Sequence, residues 1–244
     1  MLVGGLAALL LQTLHPLVMQ GVADHSSYRE DPLGRLRRTA EFLAATTYGG
    51  DELANDAVRQ VRSIHGRVRG LAPDGRSYRA ADPDLVAYVH VTEVWSFLRA
   101  YQRYSGHPLL LVEKNRYLEE EAAVARRLGA RSVPTTTQQV RDYFRSVRPE
   151  LRRTPAAVTA VQFLRRPIGR SAFELAAHSA IVEAGIDLLP PFARRELRLF
   201  RPLCYRRTVV RPAATTISLV LHWSLGESPV LAAARERTRA PAGL

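Results

Sequence analysis

The segment ELANDAVRQVRSIHGRVRG, Glu52 to Gly70, carries helical periodicity up to one histidine. Leu53, Ala57, Val61, Ile64 and Val68 recur at three- and four-residue steps, the spacing of one face of an α-helix. His65 follows Val61 by four residues and precedes Val68 by three, so it belongs to that face, whereas Arg59, Arg62 and Arg69 lie mostly off it. The same period, and the same kind of helix start, recurs on both sides of this segment, and strand signals are scarce throughout. The reading is therefore all-α.

On the N-terminal side, Asp31-Pro32 predicts a capped helix start, with Leu33, Leu36, Ala40, Phe42 and Leu43 as an apolar stripe. Gly49 and Gly50 end that helix, and Asp51 caps the next. Leu6 to Val22 reads as a core helix kinked at Pro16. The run is too short to span a bilayer, which needs about 20 apolar residues, and it has no basic region of the kind that begins a secretion signal. Its abrupt start leaves room for a longer natural domain.

Gly70 to Arg79 reads as a turn-rich loop, after which Asp82-Pro83 opens a helix that Gly106 stops. Pro108 to Leu128 is another helix, with EEEAAVARR as its polar, solvated part. Further starts fall at Thr135 to Thr137, Thr154-Pro155, Ser171 and Pro190-Pro191. TTISLVLHWSL, from Thr215, suits helix or strand by itself and is taken as helix to match its neighbours. Residues 1–234 are read as one domain and residues 235–244 as a disordered tail.

With 244 residues, 46% of them hydrophobic and 24% charged, the chain can bury one substantial core. Its net charge of +12 invites a nucleic-acid partner. The charge has an unusual origin, however: Lys114 is the only lysine among 35 basic residues, and the arginines spread from Arg29 to Arg239. No zinc-finger spacing, RNA-binding motif or basic heptad region accompanies them, so a specific nucleic-acid partner is not expected. An anionic membrane surface stays open as a peripheral contact. Cys204 is the only cysteine, which excludes an intrachain disulfide and a cysteine-built zinc site and suits a cytoplasmic location.

The seven histidines are His15, His25, His65, His90, His107, His178 and His222. None forms a His-Glu-x-x-His pair, and the chain has no Gly-rich phosphate loop, no Gly-x-Ser-x-Gly elbow and no dinucleotide-binding unit. On pattern alone His65 reads as a core residue bonded to a backbone carbonyl. It is also what a haem needs on its proximal side, where one neutral imidazole nitrogen binds iron and the other is fixed by an acceptor. Arg35, Arg38 and Thr39 fall within one turn of a helix. They read either as a solvated basic face or as a polar cluster over a cofactor, able to donate to a propionate or to oxygen. His90, in YVHVTEV, is a structural histidine or a supporting residue of a cofactor site.

Three segments in order carry a wider resemblance: LLLQTLHPLVMQGVADHSSYREDPLGRLRRTAEFLAATTYGG, VRSIHGRVRGLAPDGRSYRAADPDLVAYVHVTEV and VPTTTQQVRDYF. Together they resemble the latex-clearing protein (rubber oxygenase) and mpaB-type oxygenase family, from Leu9 to about Leu188. The most specific parts are His-x-x-Val-x-Gly at His65 to Gly70 and Tyr-x-Ala-x-Asp-Pro at Tyr78 to Pro83. The resemblance implies an all-α fold with a globin-like core around one haem b and His65 as the proximal iron ligand. Arg35, Arg38 and Thr39 match the distal-pocket Arg, Lys and Thr of the rubber-cleaving members. The implied activity is O2-dependent cleavage or oxidation of a double bond in an apolar, isoprenoid-like small molecule, with Arg35 and Thr39 donating hydrogen bonds to oxygen.

Two departures stand out. The family's distal lysine is Arg38 here, and a guanidinium stays charged and does not ligate iron. No acid near Met19 and Gln20 matches the family's pocket glutamate; Asp24 and Glu30 are near but not aligned. Rubber itself is thus a poorer expectation than a smaller apolar substrate. Two other readings are a haem- or lipid-binding protein of the same family that turns nothing over, and a peripheral binder acting through positive charge. Substrate identity, reductant and oligomeric state are not legible in the sequence.

Overall fold

The computed structural model describes residues 2–167 and 171–217. The all-α expectation holds. In chain order the helices are α1 (Leu2–Gln12), α2 (Pro16–His25), α3 (Pro32–Tyr48), α4 (Asp51–Arg67), α5 (Pro83–Tyr104), α6 (Leu111–Leu128), α7 (Thr137–Val147), α8 (Pro155–Arg165), α9 (Ala172–Leu188) and α10 (Pro191–Glu196). A further helical stretch begins at Leu203–Tyr205 and stays helical to residue 217. The expectations for residues 218–225 and for the tail at 235–244 fall outside the described residues.

Several helix starts come from side chains the sequence advertises. Asp31, Asp82, Thr154 and Ser171 each accept a hydrogen bond from a backbone N–H of the first turn, and a proline begins the helix after the first three. Ser171 and Glu174 complete a reciprocal capping box. Thr136 is the residue of the 135–137 trio that caps α7. Gly129 ends α6 with φ 103°, a left-handed conformation that costs glycine nothing.

Three expectations are corrected. Leu6–Val22 is not one kinked helix: Thr13 to His15 break it, Pro16 is the first residue of α2, and the two axes bend by 107°. Proline at that position starts a helix more readily than it bends one. Among the described residues no single helix is long and apolar enough to cross a membrane. Gly70–Arg79 is not loop alone but an antiparallel hairpin, β1 (Arg69–Leu71) and β2 (Ser77–Arg79), with Gly70 opposite Tyr78. Asp51 is the first helical residue of α4, and Gly50 holds the cap position without a side chain to cap with.

α1 is the pivot of the core and packs on both α5 and α9. Its Ala7, Leu10 and Leu11 are fully buried, as is Leu14 just beyond it. Each such leucine stabilises the fold by about 1.5–3 kcal/mol relative to an exposed one. The crossings are close. A Cβ at Gly4 would come 2.8 Å from the Phe97 ring on α5, and one at Gly185 on α9 would come 3.1 Å from Leu6. Tyr88 of α5 is wholly buried and its hydroxyl donates to the Leu11 carbonyl at 2.6 Å, giving the end of α1 a partner. On the other side of the core, Asp187 of α9 is 1% exposed and is held by ion pairs from Arg206 and, at 3.1 Å, Arg211. These ties anchor the segment after α10 to the bundle.

Candidate functional site

α3 and α4 pack on one another after the Gly49-Gly50 turn, which brings the start of α3 and the end of α4 to the same end of the pair. There they meet α2, α5, α6 and the hairpin around a cavity of about 980 Å3 with mostly aliphatic and aromatic walls. Small-molecule and cofactor sites run to about 300–1,000 Å3, so this one is large.

His65 lines the cavity. The inward face of α4 is rotated from the expected stripe: Ala54 and Val58 are its buried residues, Leu53 is 57% exposed, and His65 continues the Ala54–Val58 line. Ile64 and Val68 also line the cavity, so the surface Ile64 retains belongs partly to its wall. Burial lowers the His65 pKa, which leaves the ring neutral near pH 7, the form able to bind a metal. Its nitrogens have no hydrogen-bond partner among the described residues.

Arg35 and Arg38 of α3 line the same cavity. Arg35 is half-buried, donates a short hydrogen bond to the Ser26 hydroxyl and sits over the Tyr28 ring at 5.9 Å. Desolvation, opposed by Tyr28 and aided by Arg38, pulls its pKa down from 12.5. Arg38 is more exposed and pairs with Asp31 at 3.3 Å. Thr39 is not brought to the cavity: it is exposed, and its hydroxyl donates to the Arg35 carbonyl at 3.0 Å.

His90 of α5 is 7% exposed and also lines the cavity. Its Nε2 is buried without a hydrogen-bond partner, and desolvation lowers its pKa to about 4.

The family-like motifs around the hairpin acquire a structural reason. The Tyr78 hydroxyl donates to Asp24 Oδ2 of α2 at 2.6 Å and lies 3.1 Å from His25 Nε2. Gly70 sits so close to Tyr78 that an added Cβ would collide with the hydroxyl and come 2.7 Å from Cζ. Burial, then Asp24, raises the Tyr78 pKa to about 12, so the phenol remains a donor. The hairpin is thus pinned to α2 directly after the helix that carries His65.

Among the cavity residues that the sequence does not single out are Glu93 of α5 and Tyr117 and Glu121 of α6. Desolvation, then Glu121, raises the Glu93 pKa to about 7. Desolvation, then Glu120, raises that of Glu121. The expectation that Glu119–Arg127 is solvated fails for Glu121, because α5 and α4 cover that side of α6. Glu93 left a signal, as the lone acid in the apolar run Leu85–Leu98. Glu121 left none, since it stands beside two exposed glutamates.

Among the described residues no three His, Cys, Asp or Glu side chains gather as a metal site. What the cavity offers is a mostly apolar space with the neutral imidazoles of His65 and His90, the Tyr78-paired His25 and two guanidinium groups, a donor set that suits a haem held by a histidine and by cations at its propionates.

No curated protein and no solved structure matches the chain significantly. The family profile described as "ER-bound oxygenase mpaB/B'/Rubber oxygenase, catalytic domain" matches residues 1–221. The chain therefore belongs to the mpaB/rubber oxygenase catalytic-domain family.

Proposed function

We propose that this member of an oxygenase family is a haem b-dependent enzyme that uses O2 to cleave or oxidise the double bond of an apolar, isoprenoid-like small molecule. The observation that carries the reading is His65, a neutral and unpartnered imidazole facing a cavity of about 980 Å3. His65 would hold the haem iron, within the globin-like core the family resemblance implies. The haem, when bound, supplies the oxygen chemistry.

The chain's own residues supply the rest. Arg35, fixed by Ser26 and Tyr28, presents a guanidinium that stabilises negative charge in a site of low dielectric. Arg38 adds a second permanent cation at the outer side of the cavity. The aliphatic walls from α2, α3 and α5 hold the alkene and exclude water. Thr39 acts on the substrate side only if its backbone carbonyl tie to α3 is released, so Arg35 is the stronger assignment for the oxygen-facing donor. The excess positive charge is compatible with a cytoplasmic protein that touches an anionic membrane.

The test is the visible spectrum of the protein expressed with haem supply, beside His65→Ala. Wild type is expected to show a strong Soret band and the variant to lose it. No Soret band in wild type overturns the cofactor assignment, and an unchanged band in the variant moves the ligand elsewhere. Oxygen uptake with an added alkene separates turnover from mere binding.

A further inference from the structure

Four polar side chains on α5 and α6 line the cavity without a hydrogen bond or ion pair among the described residues: His90, Glu93, Tyr117 and Glu121. His90 precedes Glu93 by three residues, so the two occupy successive turns of one face of α5. Tyr117 and Glu121 have the same relation on α6, four residues apart, and α5 packs on α6. The two carboxyls are near enough to act on one another and on the Tyr117 phenol.

Such an arrangement is expensive unless something meets it. Buried polar groups are almost always paired, and buried carboxylates all the more so. Among the described residues no cation acts on these two: the charged groups that do are other glutamates. His90 is an independent sign, because its Nε2 is fully buried, unpartnered and on the wall of the same cavity in a residue only 7% exposed. A structural role for all four would require partners, and the described residues offer none.

We propose that the α5–α6 wall is a polar subsite, formed by His90, Glu93, Tyr117 and Glu121, that binds a hydroxyl group on an otherwise apolar substrate. This rests on the cavity being the substrate site. A hydroxyl suits the wall because it donates and accepts at once. Two neighbouring carboxyls of which one is protonated present one O–H and at least one acceptor oxygen, and the Tyr117 phenol adds another donor. With Glu93 displaced to about 7, one proton resides on the pair over much of the neutral range. The remaining walls, carrying Val22, Phe42 and Leu43, receive the hydrocarbon. The substrate class is thereby narrowed from an apolar alkene to an alkenyl alcohol.

The probes are geraniol and myrcene, ten-carbon isoprenoid alkenes of which only the first carries a hydroxyl, titrated by calorimetry into haem-supplied wild type, Glu93→Leu, Glu121→Leu and Tyr117→Phe. Transfer from water alone favours myrcene, so a preference for geraniol reports the subsite. Wild type is expected to bind geraniol about tenfold more tightly, the worth of a hydrogen bond to a charged group. Each leucine variant is expected to lose that preference while keeping myrcene binding, and Tyr117→Phe to weaken it. Equal or tighter binding of myrcene by wild type overturns the subsite and leaves the cavity reading standing. A preference retained in both leucine variants does the same. Binding of neither probe by wild type removes the cavity reading, and the subsite with it. Should the leucine variants fail to fold, the wild-type ratio and Tyr117→Phe decide.

Discussion

Replacing Glu93 with glutamine keeps the shape of the side chain and removes its titration. In the folded protein, burial and then Glu121 move this carboxyl from 4.5 to about 7. The folded state therefore holds a proton that the unfolded state has released between those two values. Stability from Glu93 is fully present below pH 4.5 and is lost as pH rises through 7. Integrated across that window the loss is about 3 kcal/mol, with a slope that reaches at most about 1.4 kcal/mol per pH unit. Glu93→Gln stays neutral throughout. Urea unfolding of both proteins at pH 5, 6, 7 and 8, followed by far-ultraviolet circular dichroism, should give nearly equal stability at pH 5. By pH 8 the variant should lead by about 3 kcal/mol, with the dependence on urea unchanged. His15 and His90 act in the opposite sense. Desolvation lowers each to about 4, so their contribution is lost as pH falls below 6.5. Both proteins share these histidines, and the effect cancels in the difference. A wild-type-to-variant difference that is flat from pH 5 to 8, or one in which wild type gains as pH rises, refutes the buried-acid assignment.

Two further outcomes test the scaffold around the site. Asp187→Asn leaves Arg206 and Arg211 facing a neutral amide in a position 1% exposed, so it should destabilise the fold by about 3–5 kcal/mol, read as a lower urea midpoint. Gly70→Ala forces a methyl into the Tyr78 ring and hydroxyl, at a cost of about 1–3 kcal/mol. Hydrogen exchange should then quicken at the hairpin, including the Ala80 amide that donates to the Val68 carbonyl, while the α1–α5 core stays protected.

What could be read locally was read well where one side chain settles the matter. Asp31, Asp82, Thr154 and Ser171 start helices because their oxygens meet N–H groups two or three residues ahead, a relation contained in a few residues. The same locality misled at Pro16, where a stop and a restart look like one apolar run, and at Gly70–Arg79, where the pairing partner lies across a turn. In the site, Arg35, Arg38, His65 and His90 were legible as residues, and all four line the cavity, whereas Thr39 does not. The α4 stripe was right in period and wrong in phase: Ala54 and Val58 turn inward rather than Leu53. A period of 3.6 constrains which residues share a face, but neighbouring helices choose the face.

The all-α class and most helix starts are written in the chain locally, since they follow from contacts within a turn or two of helix, and the family motifs single out His65, Arg35 and Arg38 as candidates. That His65 and the two arginines share a cavity with Glu93, Tyr117 and Glu121 depends on how distant helices pack, as does the covering of Glu121 while Glu119 and Glu120 meet solvent. The reason is physical: burial, and every charge shift that follows from it, is set by atoms brought together from distant parts of the chain. An acid on a helix carries no mark of which neighbour will come to lie over it.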